Sequence, residues 1–127
     1  MFDHVTIRVT DRKASERFYE TVFAPLAIAQ TYSDETLAEW DEFSLSPATP
    51  DKPATRGLHA AFVAPSRAIG TSSGAPGPRD AFHAAATGAS YRDNGAPGER
   101  PEYHPGYYGA FVLDPDGNNV EVVSHNR

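Results

Sequence analysis

Cysteine is absent from the 127 residues. That excludes a disulfide framework, thiolate zinc sites, iron–sulfur ligation and a cysteine nucleophile, so any metal must be held by nitrogen and oxygen. Long apolar runs are also missing: no stretch approaches the roughly 20 residues a membrane span needs, and no membrane partner is expected. Positive charge is scarce, with 11 Lys and Arg against 17 Asp and Glu and a net charge of −6. A basic stripe of the kind that grips nucleic acid is not visible, so no nucleic-acid partner is expected. The first residues pass straight into an alternating strand, with no basic segment leading an apolar one. No signal peptide is therefore expected, and the protein is read as cytoplasmic.

What is present suits one domain. A chain of this length buries roughly two-thirds of its unfolded surface without covalent staples. Val5, Ile7 and Val9 alternate with His4, Thr6 and Arg8, the pattern of a half-buried strand. Asp11 offers an N-cap, and Ala14, Phe18, Tyr19, Val22 and Phe23 recur at helical spacing before Pro25. Short β-like runs follow at about 27–33, 36–40 and 42–47. The acidic stretch 34–42 reads as a solvated edge hairpin. Residues 48–57 form a linker. The order then repeats. Leu58, Ala60, Phe62 and Ala64 face one way, with His59, Ala61 and Val63 opposite. A Gly/Ser/Pro-rich stretch at 70–77 precedes a helix that opens at Pro78, presents Phe82, Ala85 and Ala86, and closes at Gly88. A short run at 89–91, a glycine- and proline-rich loop at 93–106, and two strands around Asp114-Pro115-Asp116-Gly117-Asn118 complete the chain. Gly-Ala-Pro-Gly occurs near 74 and again at 95–98. It reads as turn-forming composition, and neither copy carries the spacing of a phosphate-binding loop.

The expected architecture is α+β: two βαβββ modules, about 1–47 and 58–127, within a single domain 1–127, with an insertion near 66–78. Packed edge to edge, they would make a cupped eight-stranded mixed sheet with both helices on one face.

Of the five histidines, His4 and His59 stand at matched places in the two modules, each on the strand face away from the helices. Glu121 sits mid-strand between Val120 and Val122, where an unpaired charge costs several kcal/mol to bury and so demands a cation or a strong partner. Two imidazoles and a carboxylate suit Fe, Mn, Ni or Zn better than calcium. The plainer alternative is that Glu121 pairs with Arg8 and binds no metal. His83 reads as a helix-surface residue and His125 as exposed. His104 lies in the aromatic cluster Tyr103-His104-Pro105-Gly106-Tyr107-Tyr108, either facing a ligand or anchoring its loop. Arg92, Asn94 and Arg100 could meet an anion or simply be solvated. Trp40 either caps the cup or packs at a subunit contact.

Three segments carry a family resemblance. They are Asp3 to Asp11 continuing into Ser15-Glu16-Arg17-Phe18-Tyr19, then Leu58 to Val63, then Ala110 to Glu121 with its Asp-Pro-Asp-Gly turn. Together they resemble the vicinal oxygen chelate superfamily, which includes glyoxalase I, extradiol dioxygenases and bleomycin-resistance proteins. The resemblance implies paired βαβββ modules, a homodimer, and a divalent metal that chelates vicinal oxygens of a small-molecule substrate. His4, His59 and Glu121 match three family ligand positions. The fourth glyoxalase I ligand, a glutamate, has no clear counterpart in Glu42-Phe43-Ser44-Leu45-Ser46. The family then implies lyase, isomerase or dioxygenase chemistry, with Glu42, His104 and Tyr108 as candidate catalytic residues. Arg8, Arg92, Tyr103 and Tyr107 are the candidate substrate contacts. The rival from the same family is a non-catalytic module that sequesters an antibiotic.

Overall fold

The computed structural model describes residues 1–64, 78–105 and 107–125, with the backbone alone at 78, 79 and 125. The insertion near 66–78, apart from the helix start at Pro78, and the exposure of His125 lie outside the described residues.

Strand β1, Val5–Val9, buries Ile7 and Val9 while Val5 at its start stays exposed. Asp11 then caps helix α1, Arg12–Phe23, its carboxylate accepting from the Ala14 N–H at 3.0 Å. Such a cap is worth about 1 kcal/mol. Phe18, Tyr19, Val22 and Phe23 form the buried stripe of α1, the periodicity expected of a helix lying on a core. Pro25 is carried in a 3-10 turn, Ala24–Leu26, and the left-handed Ala27 (φ 57) ends it. Three strands follow: β2, Tyr32–Ser33; β3, Ala38–Trp40; and β4, Phe43–Pro47. The second module comprises β5, His59–Val63; helix α2, Pro78–Gly88; β6, Arg92–Glu99; β7, Tyr107–Leu113; and β8, Asn119–His125.

The α+β, paired-module architecture is as expected from the sequence. Its eight strands form two four-stranded sheets, β1-β4-β3-β2 and β5-β8-β7-β6, each mixing one parallel pairing with two antiparallel ones. Within one chain these sheets are not joined into a continuous eight-stranded ladder among the described residues. β1 and β5 each stand at the end of their sheet. The modules meet instead through their cores. Phe62 of β5 packs edge-on against Phe23 (4.8 Å between centroids) and Phe43 (5.2 Å). Each such aromatic pair adds about 0.5–1.5 kcal/mol beyond the area it buries. Helices α1 and α2 pack together as well.

The Asp114–Asn118 turn ties the modules with polar bonds. Asp114 accepts from Tyr19 Oη (2.8 Å) and from the N–H groups of Asp116 and Asn118. Asp116 accepts from the N–H and hydroxyl of Thr10, just beyond β1. Asn118 donates to the Thr55 carbonyl and accepts from the Leu58 N–H, which sets the entry to β5. Gly117, at φ 86, provides the left-handed residue this turn requires.

Several local expectations are corrected. Residues 89–91 are not a strand: Tyr91 N–H closes on the Ala86 carbonyl and Ser90 is left-handed (φ 69), so they finish α2. Much of the expected loop 93–106 is strand β6, whose register slips between Asp93 and Gly95 and again between Gly95 and Gly98. An edge position and these bulges are what let a strand accommodate Pro97 and its glycines. Trp40 is a core residue within the chain: it is 2% exposed and packs against Tyr19 and Phe23. The acidic stretch is a solvated edge hairpin only in part: its turn is exposed, with Asp34 accepting from the N–H groups of Thr36 and Leu37, but β3 is an inner strand that buries Ala38 and Trp40.

Candidate active site

Because side chains alternate along a strand, the pairing of β5, β8 and β7 assembles one face of the second sheet. His59 and Ala61 of β5 lie opposite Asn119 and Glu121 of β8. Glu121 lies opposite Phe111 of β7, with Gly109 and Tyr107 two and four residues away on the same face. This is the face away from α2, toward which Tyr108 points.

Glu121 is the centre of this face and is 1% exposed. Its Oε1 accepts from His59 Nε2 at 2.8 Å, and its Oε2 accepts from Tyr107 Oη at 2.5 Å. Both oxygens of a buried carboxylate are thus satisfied, as its burial demands. Burial, followed by the bond to Glu121, holds the Tyr107 phenol well above its ordinary pKa. Tyr107 is therefore a fixed donor, not a base, near neutral pH. Gly109 makes room for the carboxylate: a Cβ there would stand 2.8 Å from Glu121 Oε2. Phe111 floors the face beside His59, at 6.2 Å between ring centroids.

The alternative pairing of Glu121 with Arg8 is not what satisfies it. Arg8 belongs to the first sheet, where it lines a cavity of ≈ 440 Å³ with Thr36, Leu37, Ser46, Pro47 and Thr49. His4 precedes β1 and bonds Asp3 Oδ1 through Nδ1 at 2.8 Å, with 68% of its side chain exposed. Among the described residues no three His, Asp or Glu side chains gather closely enough to hold an ion. One chain thus brings His59 and Glu121 together and leaves His4 on the other sheet.

Glu42 and His59 line the same cavity of ≈ 530 Å³, together with Phe2, Val5, Phe43 and Phe62. At the glyoxalase-type fourth-ligand strand, Ser44 is occupied with Thr6, hydroxyl to hydroxyl at 2.7 Å. His104 and Tyr103 both pack edge-on against the Tyr107 ring, at 5.2 and 4.9 Å. Tyr108 is placed differently from the expectation that it lines the cup. It projects to the helix side, where its hydroxyl bonds Asp80 of α2 at 3.0 Å. Arg92 is also away from the cup, at the other end of β7, in a cavity of ≈ 340 Å³ with Arg17, Tyr91 and Asp114. His83 bonds Asp93 of β6 at 2.8 Å, so its role is to tie α2 to the sheet edge. Sequence reasoning did not single out Gly109 and Phe111. The alternation of Tyr107, Gly109 and Phe111 with Tyr108 and Ala110 along β7 was the available signal.

No family model and no curated protein sequence matches the chain. Solved structures do. A glyoxalase/bleomycin resistance protein from Albidiferax ferrireducens T118 is 27% identical with a TM-score of 0.78, over 98% of each chain. A lactoylglutathione lyase from Agrobacterium tumefaciens shares the fold at 18% identity and a TM-score of 0.65, over 98% of this chain and 92% of that one. A glyoxalase/bleomycin resistance protein/dioxygenase from Alicyclobacillus acidocaldarius does so at 12% identity and a TM-score of 0.61, over 100% of this chain and 92% of that one.

Proposed function

The chain belongs to the vicinal oxygen chelate superfamily, and from that premise we propose that it is a metal-dependent enzyme acting on a small oxygenated substrate, with a site shared between two copies of the chain. The observation that carries this reading is the buried Glu121 carboxylate held by His59, which itself lines an open cavity.

The donor set fits a borderline divalent ion such as Fe, Ni, Mn or Zn: one imidazole nitrogen and one carboxylate oxygen, already adjacent. The atoms that share the hydrogen, Nε2 and Oε1, are both ligand types, so binding a cation there displaces a proton. The count is what one chain does not complete. His4 of a second copy supplies the third ligand in our reading. Two features support a second copy: β1 and β5 each end their sheet, and Phe2, Val5 and Val63 are exposed apolar residues near those ends. Open edges and exposed apolar side chains are surfaces a soluble chain tends to cover.

A metal held by His59, Glu121 and His4 of a second copy would supply Lewis acidity toward a substrate oxygen. This chain's residues do the rest. Tyr107 keeps its proton and orients Glu121. Glu42, which lines the cavity with His59, would accept a substrate proton. Tyr103 and His104 wall the Tyr107 side. Phe111 excludes water from the floor. Reactions in which a proton moves next to a substrate oxygen, of the lyase or isomerase type, would use these parts most fully.

Elemental analysis after exposure to Fe(II), Ni(II), Mn(II) and Zn(II) tests the reading, with one equivalent per chain expected. His4→Ala and Glu121→Ala should each abolish uptake. Unfolding and refolding the two variants together should restore about one site per heterodimer, because one of its two sites then has both residues intact. A site within one chain would give no restoration. No uptake by the wild type would overturn the enzyme reading in favour of a metal-free binding module.

A further inference from the structure

The glycine-rich string that the sequence offers as mere turn composition has a specific use. In β6 the residues Gly95-Ala96-Pro97-Gly98 carry both register shifts. Gly95 has φ +151, and a Cβ there would stand 2.8 Å from Phe111 Cδ1. A Cβ on Gly98 would stand 3.0 Å from Arg100 Nη1. The bulged strand therefore opens just enough space to seat Phe111 and Arg100 against each other, with the guanidinium carbon 5.3 Å from the ring centroid.

Arg100 is held as well as seated. Nη2 donates to the Ala96 carbonyl at 3.0 Å and Nη1 to the Glu99 carbonyl at 3.2 Å. Both anchors are neutral backbone acceptors, and an arginine has five N–H donors. Among the described residues no carboxylate lies within ion-pairing distance of Arg100. A partly buried cation, anchored on two backbone carbonyls and without an ion-pair partner among the described residues, in a chain of net charge −6, sits on the ring that lies directly opposite Glu121 in the β7–β8 ladder.

We propose that Arg100 is the specificity-determining residue of this site, and that the substrate is a small organic carboxylate whose anionic group lies on the Arg100 guanidinium and whose body lies on Phe111. This rests on the reading of the Glu121 face as the substrate site. The planar guanidinium fork suits a planar carboxylate. A monoanion also meets less repulsion from the nearby Glu121 than a phosphate dianion does.

The test uses benzoate as probe and benzamide as its neutral isostere. Both are titrated into the full-length protein, metal-free and metal-loaded, and followed by NMR shifts of the Arg100 side chain and the Phe111 ring. Benzoate should bind at least about tenfold more tightly than benzamide. Arg100→Gln should bring the two within about twofold, and Arg100→Lys should restore part of the preference. Thermal unfolding of Arg100→Gln checks that the fold is intact. No saturable benzoate binding, equal binding of benzamide, or a preference that survives in Arg100→Gln each overturns the proposal. Its failure is separable from that of the metal reading. Metal uptake without a benzoate preference removes Arg100 alone, whereas a preference without metal uptake removes the metal and leaves the carboxylate subsite standing.

Discussion

Tyr107 and Glu121, fourteen residues apart on antiparallel neighbours, are joined by a hydroxyl-to-carboxylate bond of 2.5 Å. That bond satisfies the one oxygen of Glu121 that His59 does not reach. Replacing Tyr107 with Phe leaves a buried acceptor unpaired, so Tyr107→Phe should destabilise the fold by about 1–3 kcal/mol. Urea unfolding measures this directly. Tyr103→Phe, which removes only an exposed hydroxyl, should be nearly neutral.

The raised phenols of Tyr107 and Tyr19 predict alkaline sensitivity. Burial leads in both cases, followed by Glu121 for Tyr107 and Asp114 for Tyr19. Above the ordinary tyrosine pKa of about 10 the unfolded chain releases these protons while the folded chain keeps them. Stability should therefore be intact below that pH and fall as the pH rises beyond it. The slope of stability against pH above 10 should be shallower in Tyr107→Phe and in Tyr19→Phe than in the wild type. Equal slopes would show that neither phenol is held.

At acid pH the sign reverses for Asp34. Its bond from the Tyr32 hydroxyl, then those from Thr36 and Leu37, depress its pKa to about 2. Whatever Asp34 contributes to the β2–β3 hairpin is present above the ordinary carboxylate range and lost as the pH falls toward 2. A carboxyl-carbon NMR titration should place Asp34 near that value in the wild type. Tyr32→Phe should move it upward.

Asp114 accepts from Tyr19, Asp116 and Asn118 while almost fully buried. Asp114→Ala strands several donors at once and should cost about 3 kcal/mol or more, against about 1–2 kcal/mol for Tyr19→Phe. Denaturant midpoints of the two variants give the comparison. Similar losses would mean that the turn matters little beyond the Tyr19 bond.

Gly109→Ala should push the Glu121 carboxylate aside, because the added Cβ meets Oε2 at 2.8 Å. At the proposed metal site, where Glu121 would be a ligand, this should cost about 10- to 100-fold in metal affinity. Competition with a chelator would read this out, with Gly88→Ala, which meets nothing within 4 Å, as the control.

The elements that periodicity and caps describe were legible in the sequence. β1, α1, α2 and β5 follow from alternation, from Asp11 and from the Phe18-Tyr19 and Phe82 stripes. All of these depend on local spacing, which a chain displays openly. His59 and Glu121 were legible for the same reason, since each breaks the polarity of its strand. β6 was not: Gly95, Pro97 and Gly98 read as loop, and only pairing with β7 supplies the bonds that make a bulged edge strand. Trp40 was misplaced because one aromatic between acidic neighbours carries no sign of which way it turns. The sequence alone determined the two modules and the residue types able to hold a cation. The tertiary structure decided which of them meet. Register against β7 gives Glu121 its Tyr107 and Arg100 its Phe111, and the separation of the two sheets keeps His4 away from both. Such relations depend on distance through space between residues far apart in the chain, and no local pattern encodes them.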